Sequence, residues 1–228
     1  MMPNSEAIKR EIHLFALPIG PQLLQWEWRA FLIKLPHEEQ NRILKYKHWQ
    51  DRQRALLGSA LVRWTIRTFT NLQHIQIARD KTGRPYLVGE NHWKGDFNLS
   101  HSGEWIVMAM TNDGHVGVDV EKIAHFNEEV MAYVMSEAEI NLINEKSKQN
   151  RINSFYELWT KKEAIYKTGL FSDVIAKSLD TVELTSKHKD VHTQLFYVDS
   201  EHPISVCWDQ VLPAVTPLII LNRNQLVY

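Results

Sequence analysis

Between Val116 and Ile123 the chain reads VGVDVEKI, an alternation of apolar and polar positions with a period of two. A strand there sends Val116, Val118 and Val120 to one side and Gly117, Asp119 and Glu121 to the other. The apolar stretch Ile12 to Leu17 also reads as a strand, and HEEQ after Pro36 places acids in the first turn of a helical region. That region is long. Leu56, Leu57, Ala60, Leu61 and Trp64 fall at i, i+1, i+4, i+5 and i+8, a buried helical stripe that ends near Thr70 and Asn71. Ile75 to Ala78 predicts a strand leading into DKTGRPYL, a turn in which Gly83 allows unusual dihedrals and Pro85 fixes the exit. Phe97 to Met110 and VGVDVEKI read as two strands joined across Asn112, Asp113 and Gly114. Ser136 and Glu139 match a capping box opening a helix through Leu142 and Ile143, and Phe155 to Gly169 predicts another helix, closed by Gly169. From Thr181 the runs VELT, QLFYV, ISVCW and PLIIL predict strands of a second sheet.

Composition narrows the function classes. With 228 residues, 44% of them hydrophobic, the chain can bury the core of one large domain or of two of about 110 residues each. Cys207 is the single cysteine, which excludes an intrachain disulfide framework and a cysteine zinc site and points to a reducing compartment. No basic-apolar leader is present and no run approaches the ~18 apolar residues of a membrane span, so a soluble cytoplasmic protein with no membrane partner is expected. A net charge of -1 argues against general nucleic-acid binding. The chain has no P-loop, dinucleotide-binding GxGxxG, HExxH or GxSxG pattern, and its 11 histidines include no pair at a recognised zinc spacing.

What remains is acids, bases and one histidine. Asp119 and Glu121, about 7 Å apart on one strand face, repel each other, and a divalent cation such as magnesium would hold both ionised. An edge strand with a solvated polar face gives the same alternation. Arg42, Lys45, Lys47, His48, Arg52 and Arg54 read as either a solvated helix face or a phosphate site. Ser100, His101 and Ser102 offer donors to an anionic oxygen, or serve as turn caps. Trp159, Glu163 and Lys167 share a helix face, although an exposed pair of this kind contributes only about 0.3–0.5 kcal/mol.

Taken in order, GRP at 83–85, FNLSHS at 97–102, VGVDVEKI at 116–123 and WTKKEAIYKTG at 159–169 resemble the motifs of 4'-phosphopantetheinyl transferases of the surfactin-synthetase-activating type. RALLGSALVRWTI at 54–66 extends the resemblance toward the N-terminus. It implies an α+β (α/β) fold of two similar halves in a pseudo-twofold arrangement, each a small, mostly antiparallel sheet packed with helices. Residues 1–112 would form the nucleotide side and residues 113–228 the half with the magnesium acids and the carrier-protein side. A monomer is implied, as is the activity of a holo-acyl-carrier-protein synthase. In that reaction the 4'-phosphopantetheine arm of coenzyme A passes to a serine of an apo acyl or peptidyl carrier protein, releasing adenosine 3',5'-bisphosphate. A catalytically silent module that binds coenzyme A or a carrier is the alternative.

On this resemblance Asp119, Glu121 and Glu163 are the Mg2+ ligands, and Asp119, Glu163 and Lys167 are catalytic. Glu163 or a water in the site takes the serine proton. Lys167 contacts phosphate, with Lys162 beside it for substrate contact; His101 takes the 3'-phosphate of coenzyme A, with Ser100 next to it. Gly83, Arg84 and Pro85 form the adenine-side turn, and Arg42 and Arg54 belong to the nucleotide end. Glu39 stands where the best-known members carry lysine, and Ala55 where a hydroxyl residue can occur, so contacts to the 3'-phosphate are expected to be rearranged or weaker. TGLFSDVIAKSLD, after Lys167, lacks the usual glycine-rich stretch. Phe126, Met131, Tyr133 and Met135 read as either a carrier-docking patch or core.

Overall fold

Strand β1 (Ile12–Pro18) buries both of its faces, as its unbroken apolar run requires. In this computed structural model the described residues are 11–70, 72, 74–89, 93–125, 128–171, 178–209 and 215–226; Phe126 and residues 172–177 of the stretch after Lys167 lie outside them. Helices α1 (Gln25–Leu32), α2 (His37–Leu44) and α3 (Trp49–Phe69) follow. The helical region expected after Pro36 is therefore two helices. The break at 45–48 folds α2 back on α3, where Glu39 reaches Ser59 and Arg63. Strands β2 (Gln76–Arg79) and β3 (Pro85–Val88) form a hairpin whose turn includes Gly83 at φ 88.

Three sequence expectations need correction here. Phe97 to Met110 is a hairpin, not one strand: β4 (Asp96–Ser102) turns at Gly103, which has φ 52, into β5 (Trp105–Thr111). Gly114 and its neighbours then carry the chain to another sheet, where β6 (Val116–Val120) pairs with a later strand rather than with β5. Helices α4 (Glu128–Val134), α5 (Glu137–Asn144) and α6 (Lys148–Lys167) precede α7 (Thr181–Lys187). VELT thus lies in a helix rather than a strand, because the Asp180 carboxylate caps it by accepting from the Val182 and Glu183 amides at 2.9 Å each. Strands β7 (His192–Tyr197), β8 (Pro203–Trp208) and β9 (Ile219–Ile220) and a 3-10 turn (Arg223–Leu226) complete the described chain.

The strand orders expose an internal repeat. In the first half β1, α3 and the β4–β5 hairpin give the antiparallel order β4-β5-β1; in the second, β6, α6 and the β7–β8 hairpin give β7-β8-β6. Each half is a strand, a long helix and a hairpin whose second strand sits in the middle. Both are α+β units of small, mostly antiparallel sheet packed with helices. PLIIL, expected in the second sheet, instead crosses back with the 3-10 turn: β9 pairs parallel to β1, and Leu221 and Leu226 join the core of the first half.

Alternation along β1 divides its side chains between two cores. Phe15 and Leu17 pack toward α3 with Leu57 and Leu61, whereas Ile12, Leu14 and Ala16 meet Val116, Val118, Val120, Ile204 and Val206 of the second sheet. Each such valine or isoleucine contributes about 1.5–3 kcal/mol of burial. Beside this shared core β4 runs along β6 without backbone pairing. Asp96 Oδ2 accepts from the Val116 amide at 2.9 Å, Asn98 Oδ1 from the Val118 amide at 3.0 Å and Ser102 Oγ from the Lys122 amide at 3.0 Å. The constant offset of 20 residues makes this a parallel seam zipped by side chains.

Candidate active site

Asp119 and Glu121 leave β6 opposite the three valines, and α6 lies over that side. Gly117 permits the approach, since a Cβ there would stand 2.0 Å from the Ala164 carbonyl oxygen. Glu163 and Lys167, one turn apart on α6, are thereby brought over the acid strand. Lys167 Nζ donates to Asp119 Oδ1 at 2.6 Å and to Ser100 Oγ at 3.0 Å, and the Ser100 hydroxyl donates to the same Oδ1 at 2.7 Å. Ser102 donates to Glu121 Oε2 at 2.9 Å. Asp119 is 2% exposed, which removes the solvated-edge reading of its strand.

Burial dominates the electrostatics. It pushes the Asp119 carboxyl above the usual range, with Lys167 opposing; it pushes Glu121 up, reinforced by the charge of Asp119; and it raises Glu163, again with Lys167 opposing and Asp119 adding. Asp119 Oδ2 is buried with no hydrogen-bond partner among the described residues. An orphaned buried carboxylate oxygen beside two further acids is a donor set of the kind magnesium takes, oxygen only and incomplete without waters and phosphate. Among the described residues no three His, Cys, Asp or Glu side chains converge closely enough to hold a metal by themselves. The residues therefore fit a cation that shares its coordination with a ligand, not a closed protein cage.

From this end a cleft of about 550 Å³ runs between α3, the β2–β3 turn, β4 and α6. Arg42, Arg54, Gly83, Arg84, Pro85, His101, Glu163 and Lys167 line it. His101 is held below the usual imidazole range by desolvation and then by the cation of Arg54. Arg54 is braced by the Gly103 carbonyl at 2.8 Å and Asp51 at 2.8 Å. Arg84 lines the cleft but gives Nη2 to Asp96 at 2.5 Å and to the Val116 carbonyl at 3.1 Å, tying the turn to the seam. Arg79, which motif reading passed over, also lines the cleft and donates to the Gly83 carbonyl at 2.7 Å. Burial and then repulsion from Arg42 lower its affinity for a proton.

One expected contact is relocated. Lys162 is 0% exposed and donates to Glu139 Oε2 at 2.6 Å and to the Val134 carbonyl at 2.9 Å, so it faces the interior and not a substrate. Ser100 is absent from the cleft lining but touches its edge, since its hydroxyl donates to Asp119 and accepts from Lys167, whereas Leu99 and His101 line the cleft directly. Of the docking candidates, Met131 and Met135 are core residues packed with Ile143 and Phe155, while Tyr133 is 70% exposed. Sequence reading missed Arg63, a charge inside the buried stripe of α3, and Glu139, seen only as a cap; a charged residue on an apolar helix face was the available signal.

The fold and site define an α+β protein with an internal strand-helix-hairpin repeat and a cation-lined cleft that ends on buried acids. The chain belongs to the 4'-phosphopantetheinyl transferases: the family model for the N-terminal part of these enzymes matches residues 22–113, and that of the 4'-phosphopantetheinyl transferase superfamily matches residues 115–211. It is 32% identical over 132 residues to 4'-phosphopantetheinyl transferase gsp of Aneurinibacillus migulanus, a match spanning 57% of this chain and 54% of that protein. It is 26% identical over 208 residues to 4'-phosphopantetheinyl transferase Sfp of Bacillus subtilis (strain 168), spanning 85% of this chain and 91% of that protein. With 4'-phosphopantetheinyl transferase ffp of Bacillus subtilis the figures are 28% over 206 residues, 85% and 91%. Among the described residues no helix is long and apolar enough to cross a membrane.

Proposed function

We propose that this protein transfers the 4'-phosphopantetheine arm of coenzyme A to a serine of an apo acyl or peptidyl carrier protein, in the manner of a holo-acyl-carrier-protein synthase, with Mg2+ as cofactor and adenosine 3',5'-bisphosphate as second product. The observation that carries the reading is that Lys167, which with Glu163 lines the arginine-bearing cleft, donates to buried Asp119 at 2.6 Å, while Glu121 and Glu163 both stand close enough to feel the Asp119 charge. Asp119, Glu121 and Glu163 would hold magnesium, which when bound neutralises charge on the diphosphate.

The chain's own groups supply the rest. Lys167, anchored on Asp119 and Ser100 and facing the cleft, presents a cation where charge accumulates as the phosphorus-oxygen bond breaks. The carrier serine oxygen bonds to the β-phosphorus, and the electron pair of the broken bond leaves on the 5'-phosphate of adenosine 3',5'-bisphosphate. Glu163, whose burial raises its affinity for a proton, accepts the serine proton. His101 and Arg54 border the nucleotide's path.

The test is mass spectrometry of several apo carrier proteins incubated with the protein and coenzyme A, with and without Mg2+. One added phosphopantetheine per carrier, dependent on Mg2+, is expected. Coenzyme A binding with no mass gain on any carrier would instead establish a silent binding module.

A further inference from the structure

Glu39 is an acid in the cationic end of the cleft. Its Oε1 accepts the Ser59 hydroxyl at 2.6 Å, its Oε2 accepts Arg63 Nη2 at 2.6 Å, and Arg42 Nη2 stands 3.8 Å away. Both carboxylate oxygens are in use. The Arg63 side chain is 9% exposed and its Nη1 donates to the Ser59 carbonyl at 3.3 Å, so its charge is met by Glu39 rather than by solvent. Arg42 Nη2, by contrast, is buried with no hydrogen-bond partner among the described residues. The cluster thus holds three guanidinium groups, Arg42, Arg63 and Arg79, of which Arg63 is hydrogen-bonded to the internal anion and Arg42 stands within ion-pair distance of it.

Coenzyme A carries two anionic groups, a diphosphate and a 3'-phosphate. With the diphosphate at the Lys167 end, the 3'-phosphate is the anion left for the remaining basic groups of the cleft, the arginine cluster together with Arg54 and His101, an assignment that rests on the proposed transferase reading. We propose that Glu39 is a specificity-determining residue: it occupies Arg63 and Ser59 as an internal anion, so that the cleft discriminates only weakly between coenzyme A and 3'-dephospho-coenzyme A. Two opposed effects meet at this side chain. It relieves repulsion within the arginine cluster, and it repels an incoming phosphate dianion. The first effect is spent on Arg63, which is nearly out of solvent; the second acts across the open cleft on the ligand.

The experiment is steady-state transfer to an apo carrier with coenzyme A and with 3'-dephospho-coenzyme A, using wild type, Glu39→Gln and the double variant Glu39→Met with Arg63→Met. Glu39→Gln keeps an acceptor oxygen for Arg63 and turns an N–H donor toward the Ser59 hydroxyl, which can accept it, while removing the charge. It is expected to lower KM for coenzyme A on the order of tenfold and that for the dephospho analogue less than about twofold. The double variant deletes both charges of the buried pair and should return KM for coenzyme A to within about threefold of wild type. Equal changes in both KM values, or a higher KM for coenzyme A in Glu39→Gln, would overturn the proposal. If no carrier is modified, calorimetry with adenosine 3',5'-bisphosphate against adenosine 5'-monophosphate poses the same question of Glu39, because the transferase reading can then fail while the selectivity of the cleft is still measured. Glu39→Gln binding the bisphosphate more tightly, with the monophosphate unmoved, supports the role; no difference removes it.

Discussion

Asp119, Glu121 and Glu163 hold protons more tightly than ordinary carboxylates, burial being the first cause in each. Between the ordinary range and their raised values the folded state binds more protons than the unfolded one, so their contribution to stability falls as pH rises through that window. Without magnesium, Glu163→Gln should therefore match wild type near about pH 4 and exceed it in Tm at neutral pH, by roughly 2–4 °C for each kcal/mol relieved. Scanning calorimetry across pH checks this, and the same variant should lose the stabilisation that added Mg2+ gives wild type. A Tm difference independent of pH would mean that the Glu163 carboxyl is not strained by burial. At this scale the acid pair was legible in part: alternation put Asp119 and Glu121 on one face, but only the placement of α6 decided between solvent and a buried site. Lys162 was misread because a motif gives neighbours in sequence, whereas its partner, Glu139, is set by packing.

Helix α6 carries Glu163 and Lys167 on one face and is moored from within by Lys162. Glu139, which receives Lys162, also accepts the amide and hydroxyl of Thr181 at 3.0 and 2.8 Å and the Ser136 amide at 2.8 Å. One buried carboxylate thus fastens the starts of α5 and α7 to α6. Lys162→Met leaves that charge without its counter-ion and should cost about 3–5 kcal/mol in urea unfolding, whereas Lys162→Met combined with Glu139→Leu should cost less than Lys162→Met alone. A double variant that is worse than the single one would show that the pair is not the mooring. Of the helices carrying this network, α5 and α6 were readable from capping and periodicity, whereas α7 read as a strand because VELT alternates apolar and polar positions. The β4–β5 hairpin was not: Asn112, Asp113 and Gly114 give the stronger turn signal, yet the reversal uses Gly103, and the Asn-Asp-Gly run only passes the chain between sheets.

Across the whole molecule the two halves meet along the side-chain seam of β4 and β6. Asn98 is 3% exposed and its Oδ1 serves the buried Val118 amide at 3.0 Å. Asn98→Leu would leave that amide unsatisfied, at a cost of about 1–3 kcal/mol. Because His101 lies on one strand of the seam and Asp119 on the other, the variant should also lower kcat/KM for coenzyme A in the carrier-modification assay. Wild-type stability in Asn98→Leu would show that the seam is not held by this bond. Polar residues at alternate positions of β4 were visible in the sequence, but nothing there identified their partner as a strand 20 residues on rather than water.

The return of residues 215–226 to the first half has a consequence for biosynthesis. Val215 bridges Ile12, β9 lies on β1, and Leu221 and Leu226 fill the core beneath α3. A ribosome that has released only the first half has therefore made a sheet with one bare edge and a core with two leucines missing. Completion of the first half's fold must wait for residues 215–226, so the two repeats, alike in topology, are not independent in time.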